Sequence, residues 1–257
     1  MRRRCLLALV ALLTLSDAAR AAEGSTIVGV QASVAGGPWI GTSNQEIDAE
    51  LAGVDWPELP AVAPEFQVRF GLTVFDATLD LHFQGNDQRV EGTSDEREGL
   101  EHHRVAIGAD LGYRFRLGRI FTLSPFVGIG SVTSTLCLAG QPDATSSPSS
   151  PPFEQVLRNP GLGMCLKSAE IGLDAGLGFA ANMRFEFERQ KGQALAGYLS
   201  VGPRVGFTQP LGSARTWEQA SSELSVDLPA FEGPKAPMAG VFVGIEAQFR
   251  FSLEAVP

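Results

Sequence analysis

Lysine is the rarest charged residue in this chain of 257 residues, which has only Lys167, Lys191 and Lys235. A surface that is solvated all round normally carries more lysine than this. Beyond the N-terminal segment no window holds 18 consecutive apolar residues, so the sequence predicts no transmembrane helix there. The formal net charge of −9 argues against nucleic acid as a partner, because nucleic-acid-binding surfaces are basic.

The N-terminus has the three parts of a secretory signal peptide. Met1–Arg4 is a basic start, Cys5–Leu15 is an apolar core, and Ala19-Arg20-Ala21 fits a small-residue cleavage site. The expected organisation is therefore a signal peptide over 1–21 and a single β domain over 22–257. Cleavage would remove four arginines and one aspartate, which makes the net charge of the mature chain more negative by three.

Two of the three cysteines, Cys137 and Cys165, remain after this cleavage. An even number of cysteines in an exported chain predicts a disulfide bond. In the chain-entropy model, closing a loop of this span stabilises the fold by roughly 3–4 kcal/mol. We expect a structural staple rather than a redox site.

Eight segments of the chain alternate between apolar and polar residues, as β-strands do. In Val241–Phe251 every odd position is apolar, and the even positions after Phe242 are polar or glycine. The earlier segments begin near Thr26, Phe66, Phe75, Val105, Leu123, Ile171 and Leu195. Short turns at 73–76, 118–119 and 190–192 alternate with long loops over 36–62, 85–101, 134–167 and 208–237. This rhythm predicts an all-β fold, an eight-stranded antiparallel up-and-down transmembrane β-barrel.

The polar faces of these strands are rich in glycine and in arginine. A narrow eight-stranded interior needs small residues, and arginine suits ion pairs in a confined space. The charges on these faces also nearly balance, which is typical of a paired interior network. We therefore expect the apolar faces to meet lipid. The expected lumen network consists of Arg69, Asp110, Arg114, Asp174, Arg204, Glu246 and Arg250.

This pattern resembles the eight-stranded outer-membrane barrels of Gram-negative bacteria, the OmpA/OmpX-like β-barrel group. The resemblance covers nearly all of the mature chain. It depends on the architecture, on the strand Pro125-Phe126-Val127-Gly128-Ile129-Gly130 and on a final strand that ends in aromatic residues at Phe249 and Phe251. It implies location in the cell outer membrane, with the lipid bilayer, lipopolysaccharide and the outer-membrane assembly machinery as partners.

Two groups of residues have types that could carry chemistry. Glu98, Glu101, His102 and His103 are close in sequence and could supply His and carboxylate ligands to a metal. Neighbouring histidines on a strand point to opposite faces, so a solvated rim is expected instead. Asp80 and His82 share one face, which allows a hydrolase but fits a histidine within the ion network better. The sequence predicts no catalytic, cofactor-binding or metal-binding residues.

The expected function is a structural or surface-interaction role, with a monomeric barrel that presents four long extracellular loops. A small-solute channel or transporter is the first alternative, followed by an outer-membrane hydrolase and a soluble lipocalin-like ligand-binding barrel. Three of the loops are acidic, so weak contacts with basic partners or divalent cations are expected. Trp39, Trp56 and Trp217 are expected to be anchors at the membrane interface rather than adhesive contacts.

Overall fold

The computed structural model describes residues 26–94, 97–118, 120–140, 152–159, 164–221 and 229–255. The predicted signal peptide, residues 1–21, lies outside the described residues. Within the described ranges neither helix is long and apolar enough to cross a membrane.

Eight long strands form the wall of a barrel. They are β1 (Thr26–Gly41), β2 (Val62–Val74), β3 (Ala77–Ser94), β4 (Arg97–Tyr113), β6 (Phe121–Gly140), β7 (Met164–Gln190), β8 (Gln193–Pro210) and β11 (Gly240–Ala255). The short strand β5 (Phe115–Leu117) continues β4 along the edge of β6. The remaining elements are α1 (Gln45–Ala52), α2 (Pro152–Arg158), β9 (Thr216–Ser221) and β10 (Phe231–Glu232).

Every pair of neighbouring wall strands is antiparallel, and the sheet closes where β6 pairs with β7. A path of paired residues round the barrel starts at Phe121 and returns to β6 at Ser131, ten residues further along the strand. The residues between them on this path are Ala181, Val201, Ala247, Val34, Val68, Phe83 and Ile107. Such a stagger requires the strands to tilt relative to the barrel axis. The predicted fold class is therefore confirmed.

The three predicted short turns lie at one end of the barrel, which we call the lower end. The other connections lie at the opposite, upper end. At the turn between β2 and β3, Phe75 and Asp76 both have positive φ, of 48° and 63°. The other two turns contain Gly118 and Gly192, at φ 74° and 84°. Left-handed backbone of this kind matches the twist of a tight hairpin. All three turns were predicted from the sequence.

The apolar residues of the wall strands point outward, as the sequence predicts. Leu81 is 64% exposed and Val127 is 62% exposed, whereas Asp110 is fully buried. Many outward side chains of this kind surround the barrel and form what we call the apolar belt. Its members include Phe70, Leu79, Leu81, Phe83, Ile107, Leu111, Val127, Ile129, Ile171, Leu173, Val205, Phe207 and Ile245.

The prediction of a long second loop over 85–101 is wrong. β3 continues to Ser94 and β4 begins at Arg97, so most of this segment is paired strand. Its outward side chains, such as Asp87 and Arg89, are charged, and its inward Gln88 is polar. Above the apolar belt the side chains no longer alternate between apolar and polar, although the two backbones stay paired. Alternation in the sequence therefore does not predict a strand there.

The described parts of the other connections, 42–61, 152–159, 211–221 and 229–239, pack on the upper end and form what we call the cap. The inward side of the wall changes there from polar residues to leucines, which pack against α1, α2 and β9. The buried cluster contains Ile47, Leu51, Val54, Trp56, Leu59, Leu100, Leu136, Leu138, Phe153, Leu157, Leu166, Trp217 and Met238. Trp56 and Trp217 lie inside this cluster, and Trp39 is buried beside Phe242. The prediction of three tryptophan anchors at the membrane interface is therefore wrong.

Cys137 on β6 and Cys165 on β7 occupy paired positions and form the predicted disulfide. The bond lies near the upper end, where α2 and its flanking residues connect the two strands. It holds these strands together at the point where the cap begins.

Replacement of Gly128 by alanine is expected to lower the stability of the barrel by about 1–3 kcal/mol, because the added methyl group would overlap the carboxylate of Asp110 in the crowded lumen. Gly36→Ala is the matched control, since a Cβ there meets nothing within 4 Å. The temperature at which the folded band converts to unfolded gel mobility measures the difference. Equal temperatures for the two variants would contradict a filled lumen.

Candidate functional site

The centre of the lumen is filled by one aromatic ring and two guanidinium groups. Phe126 on β6 lies 3.9 Å from the guanidinium carbon of Arg204 and 4.7 Å from that of Arg69, measured to the ring centroid. Arg69 also contacts Asp110 at 2.6 Å, and Arg204 contacts Glu246 at 3.2 Å. Each cation therefore has a carboxylate partner and an aromatic face, and both contacts favour a desolvated guanidinium.

A second set of contacts lies below this layer. Arg114 donates to the side-chain oxygens of Gln31 and Gln248, and Gln31 donates to Asp80. Thr73 donates to the same oxygen of Gln31 at 3.1 Å. Gln31 thus links Arg114 to Asp80, a carboxylate that the sequence placed on the polar face of β3.

His82 lies between two carboxylates, one of which, Asp110, also contacts Arg69. Its Nδ1 is 3.2 Å from Oδ2 of Asp110, and its Nε2 is 3.5 Å from Oδ2 of Asp174. Thr208 donates to Oδ1 of Asp174 at 2.5 Å. The preference for His82 as a member of an ion network, rather than a hydrolytic base, agrees with these contacts.

Arg250, the last of the seven residues proposed for the lumen network, lies near the lower end, where it donates to the Thr26 hydroxyl at 3.2 Å. Its guanidinium carbon is 4.1 Å from the ring centroid of Tyr198, whose hydroxyl donates to Glu254 at 2.5 Å. Glu254 also contacts Arg184 at 3.1 Å and Arg116 at 3.5 Å. Glu254 is fully buried, so this cluster fills the lower mouth of the barrel.

Sequence analysis missed the ion pair at the upper end of the lumen. Arg104 donates to Glu65 at 3.0 Å and to the backbone oxygen of Met238 at 3.2 Å, and its guanidinium lies 3.8 Å from the Trp39 ring. The alternation of its strand indicates that the Arg104 side chain points inward. Glu65 gave no such signal, because it lies next to a segment that was assigned to a loop.

Two cavities lie between these layers in the described part of the chain. A cavity of about 40 Å³ lies among Arg69, Arg114, Arg204 and Glu246, and another of about 10 Å³ lies beside Asp174. One water molecule needs roughly 10–15 Å³ on this measure. The two cavities therefore have room for a few waters, and Phe126 lies between them.

Ser134, His102 and Gln88 form an arrangement with some likeness to a hydrolytic triad. His102 contacts Ser134 Oγ at 2.9 Å through Nε2 and Gln88 Oε1 at 3.2 Å through Nδ1. An amide cannot stabilise an imidazolium as a carboxylate does, and the serine is fully buried beneath the cap. These contacts are those of a satisfied core histidine.

The four residues near the end of the second predicted loop do not all come together, although His103 approaches Glu101. His103 points outward, 3.1 Å from Asp87 and 3.8 Å from Glu101, while His102 points into the barrel. Glu98 is exposed. The expected separation of the two histidines to opposite faces is therefore observed.

No protein-family model matches the chain, and no curated protein matches it. Among solved structures, it is similar to Ail, the attachment invasion locus protein of Yersinia pestis, in complex with the heparin analogue sucrose octasulfate. The identity is 13% and the TM-score 0.36, over 90% of this chain and 99% of that chain.

Two further solved structures are similar to this chain to about the same degree. Neisserial surface protein A has 10% identity and a TM-score of 0.35, over 90% of this chain and 99% of that chain. A major outer membrane protein from Thermus thermophilus has 10% identity and a TM-score of 0.41, over 87% of this chain and 99% of that chain. At these identities the likeness concerns the fold and says nothing of activity.

Acidification is expected to destabilise the upper end through His102, which lies above the apolar belt. Burial, with smaller contributions from Arg104 and His103, lowers the pKa of His102 from 6.5 to about 3. The unfolded chain takes up a proton below its ordinary pKa while the folded chain does not, so stability falls as the pH drops through 6.5 toward 3. The loss should be about 2 kcal/mol between about pH 8 and about pH 5.

Urea unfolding followed by tryptophan fluorescence at the two pH values measures this effect, since Trp56 and Trp217 lie in the cap. His102→Gln should remove that part of the pH dependence, and the exposed-site control His103→Gln should keep it. A pH dependence that is the same in His102→Gln and wild type would contradict the assignment.

Proposed function

We propose that this chain is a monomeric barrel of the bacterial outer membrane with a structural or surface-interaction role. The observation that carries the proposal is the apolar belt, which surrounds a lumen filled with paired charges. In water, this arrangement would expose far more contiguous apolar surface than soluble monomers show. In a bilayer the same belt faces hydrocarbon, and closure of the sheet pairs the backbone groups that lipid cannot hydrogen-bond.

The position of the ionisable residues supports the same conclusion. Arg69, Asp110 and Arg204 are each almost completely buried, and they lie at the height of the exposed leucines and valines of the wall. Charged residues placed in this way avoid hydrocarbon and pair with each other. A lipocalin-like soluble barrel would have the opposite distribution, with apolar side chains inside and charges outside.

The filled lumen favours a scaffold over a solute channel. The cap covers the upper end, the cluster around Glu254 fills the lower mouth, and the cavities between them have room for only a few waters. Eight-stranded barrels in general have interiors just wide enough to be filled by side chains. A role in the membrane then falls to the outer surfaces.

The surface offered to the outside of the cell is the cap. Its apolar residues are turned inward, and the exposed side of α1 and the turn after it carries Glu50, Asp55 and Glu58. Such a surface attracts basic partners or divalent cations weakly and in a salt-dependent manner. Packing of the cap against the barrel wall holds this surface in one arrangement.

Replacement of Leu81 by arginine tests the lipid-facing assignment. Leu81 lies between Leu79 and Phe83 in the apolar belt, and arginine at the middle of a bilayer costs roughly 2–4 kcal/mol. Ala169→Arg is the control. The Ala169 side chain also points outward and is exposed, but it lies above Ile171, where the apolar belt begins on β7. The expected result is a lower folding stability in lipid vesicles for Leu81→Arg alone. Equal stabilities would contradict membrane insertion.

Planar-bilayer recording of the refolded chain tests the scaffold against the channel. Wild-type protein is expected to give no steady stepwise conductance, since the lumen is filled. Gly178→Phe is the matched variant: Gly178 lines the larger cavity, and an added Cβ there has its nearest neighbour at 3.7 Å. A wild-type conductance that falls in Gly178→Phe would establish a path through the lumen and contradict the proposal.

A further inference from the structure

We propose that His82, Asp110 and Asp174 bind one divalent transition-metal ion of the zinc class inside the lumen. The three residues come from β3, β4 and β7, and each offers one ligand atom within 4.8 Å of the other two. Their side chains are at most 4% exposed. Sequence analysis predicted no metal site, because these ligands lie far apart in the chain.

The wall is shaped to bring these side chains together. Asp110, Gly128 and Asp174 occupy one row of paired positions across β4, β6 and β7, and His82 pairs with Gly108. A Cβ on Gly108 would lie 2.9 Å from Cε1 of His82, and one on Gly128 would overlap Oδ1 of Asp110. The two glycines therefore leave the space that the imidazole and the carboxylate occupy.

Several lone pairs in this group have no hydrogen-bond partner. Arg69 contacts Oδ2 of Asp110 and Thr208 contacts Oδ1 of Asp174, which leaves Asp110 Oδ1 and Asp174 Oδ2 without a hydrogen bond. Neither ring nitrogen of His82 makes a hydrogen bond of good geometry. Buried polar atoms are nearly always satisfied, and an ion or water at the site is a usual reason when they are not.

The space beside Asp174 can hold a further ligand. The smaller cavity, about 10 Å³, is lined by Asp174, Gln67 and Gln84, and the side-chain oxygens of both glutamines lack a partner. The amide nitrogen of Gln67 donates to Glu65 at 2.8 Å, which fixes the orientation of that amide. A catalytic-type zinc site has three protein ligands and one water, and the cavity has room for one water.

The charges and the ligand types favour this class of ion. Asp174, together with Asp110, which also contacts Arg69, offsets the charge of a divalent ion. An imidazole ligand favours zinc and its neighbours over calcium or magnesium. A proton on His82 would satisfy the two aspartates but would leave the oxygens of Gln67 and Gln84 unpartnered. A metal-bound water is a strong donor and would satisfy these oxygens as well.

Metal analysis of the full mature chain tests the proposal. Protein folded in the presence of zinc and dialysed against buffer is expected to keep one zinc per chain. His82→Gln and Asp174→Asn should each reduce this content at least tenfold, whereas His103→Gln, which changes an exposed histidine, should not. Heat-modifiable gel mobility confirms that each variant is folded, and the second lumen variant keeps the test decisive if one fails to fold.

Cobalt provides an independent readout of the same site. Cobalt-loaded wild type should show visible absorption bands of a low-symmetry N/O site, and these bands should be lost in His82→Gln. Wild type that holds no more zinc than His82→Gln would overturn the proposal, as would zinc that is lost in His103→Gln but not in His82→Gln. A doubly protonated His82 ring in the nitrogen NMR spectrum of zinc-treated protein at neutral pH would also overturn it.

Discussion

The closed eight-stranded sheet is the constraint on which the rest of the structure depends. Closure pairs the backbone groups of all the wall strands, which is what a segment crossing lipid requires. It also fixes the width of the interior, because strand number and stagger together set the barrel radius. The stagger of ten residues between Phe121 and Ser131 leaves a lumen that Phe126 and two guanidinium groups fill across its middle. The glycines at positions that face the lumen follow from the same lack of space.

The contents of the lumen change with height, and the change follows the surroundings. Beside the apolar belt most inward positions are charged, polar or glycine, while the outward side chains are apolar. Above the belt the inward parity carries Leu100, Leu136 and Leu166, and the outward parity carries ions such as Arg89 and Glu101. At the height of the apolar belt the barrel thus has its polar side chains inside and its apolar ones outside, as a membrane protein does. At the upper end the arrangement is reversed, as in a soluble protein.

This change explains why the cap is packed rather than extended. Inward leucines at the upper end need apolar partners, and the connections supply them through Ile47, Leu51, Phe153 and Trp217. Most large apolar residues in the described parts of the connections are buried by this packing, and the exposed positions in and after α1 include Glu50, Asp55 and Glu58. A rigid polar surface on a filled barrel suits contact with other molecules better than passage through the lumen. The proposed metal site adds to the filling and needs no opening at either end.

The sequence by itself determined the strands at the height of the apolar belt, which of their side chains face outward, the three tight turns and the disulfide. All of these depend on local alternation, on turn residues or on a cysteine count, which a single segment reveals. Only the tertiary structure decided that the second long loop is a hairpin, that Trp56 and Trp217 are core residues, and that Arg104 pairs with Glu65. It also decided which charges meet: Ser33 reaches Glu246, and His82 reaches Asp110 and Asp174, through the register of strands distant in sequence. Register is set by the packing of the whole closed sheet, and no one strand contains that information.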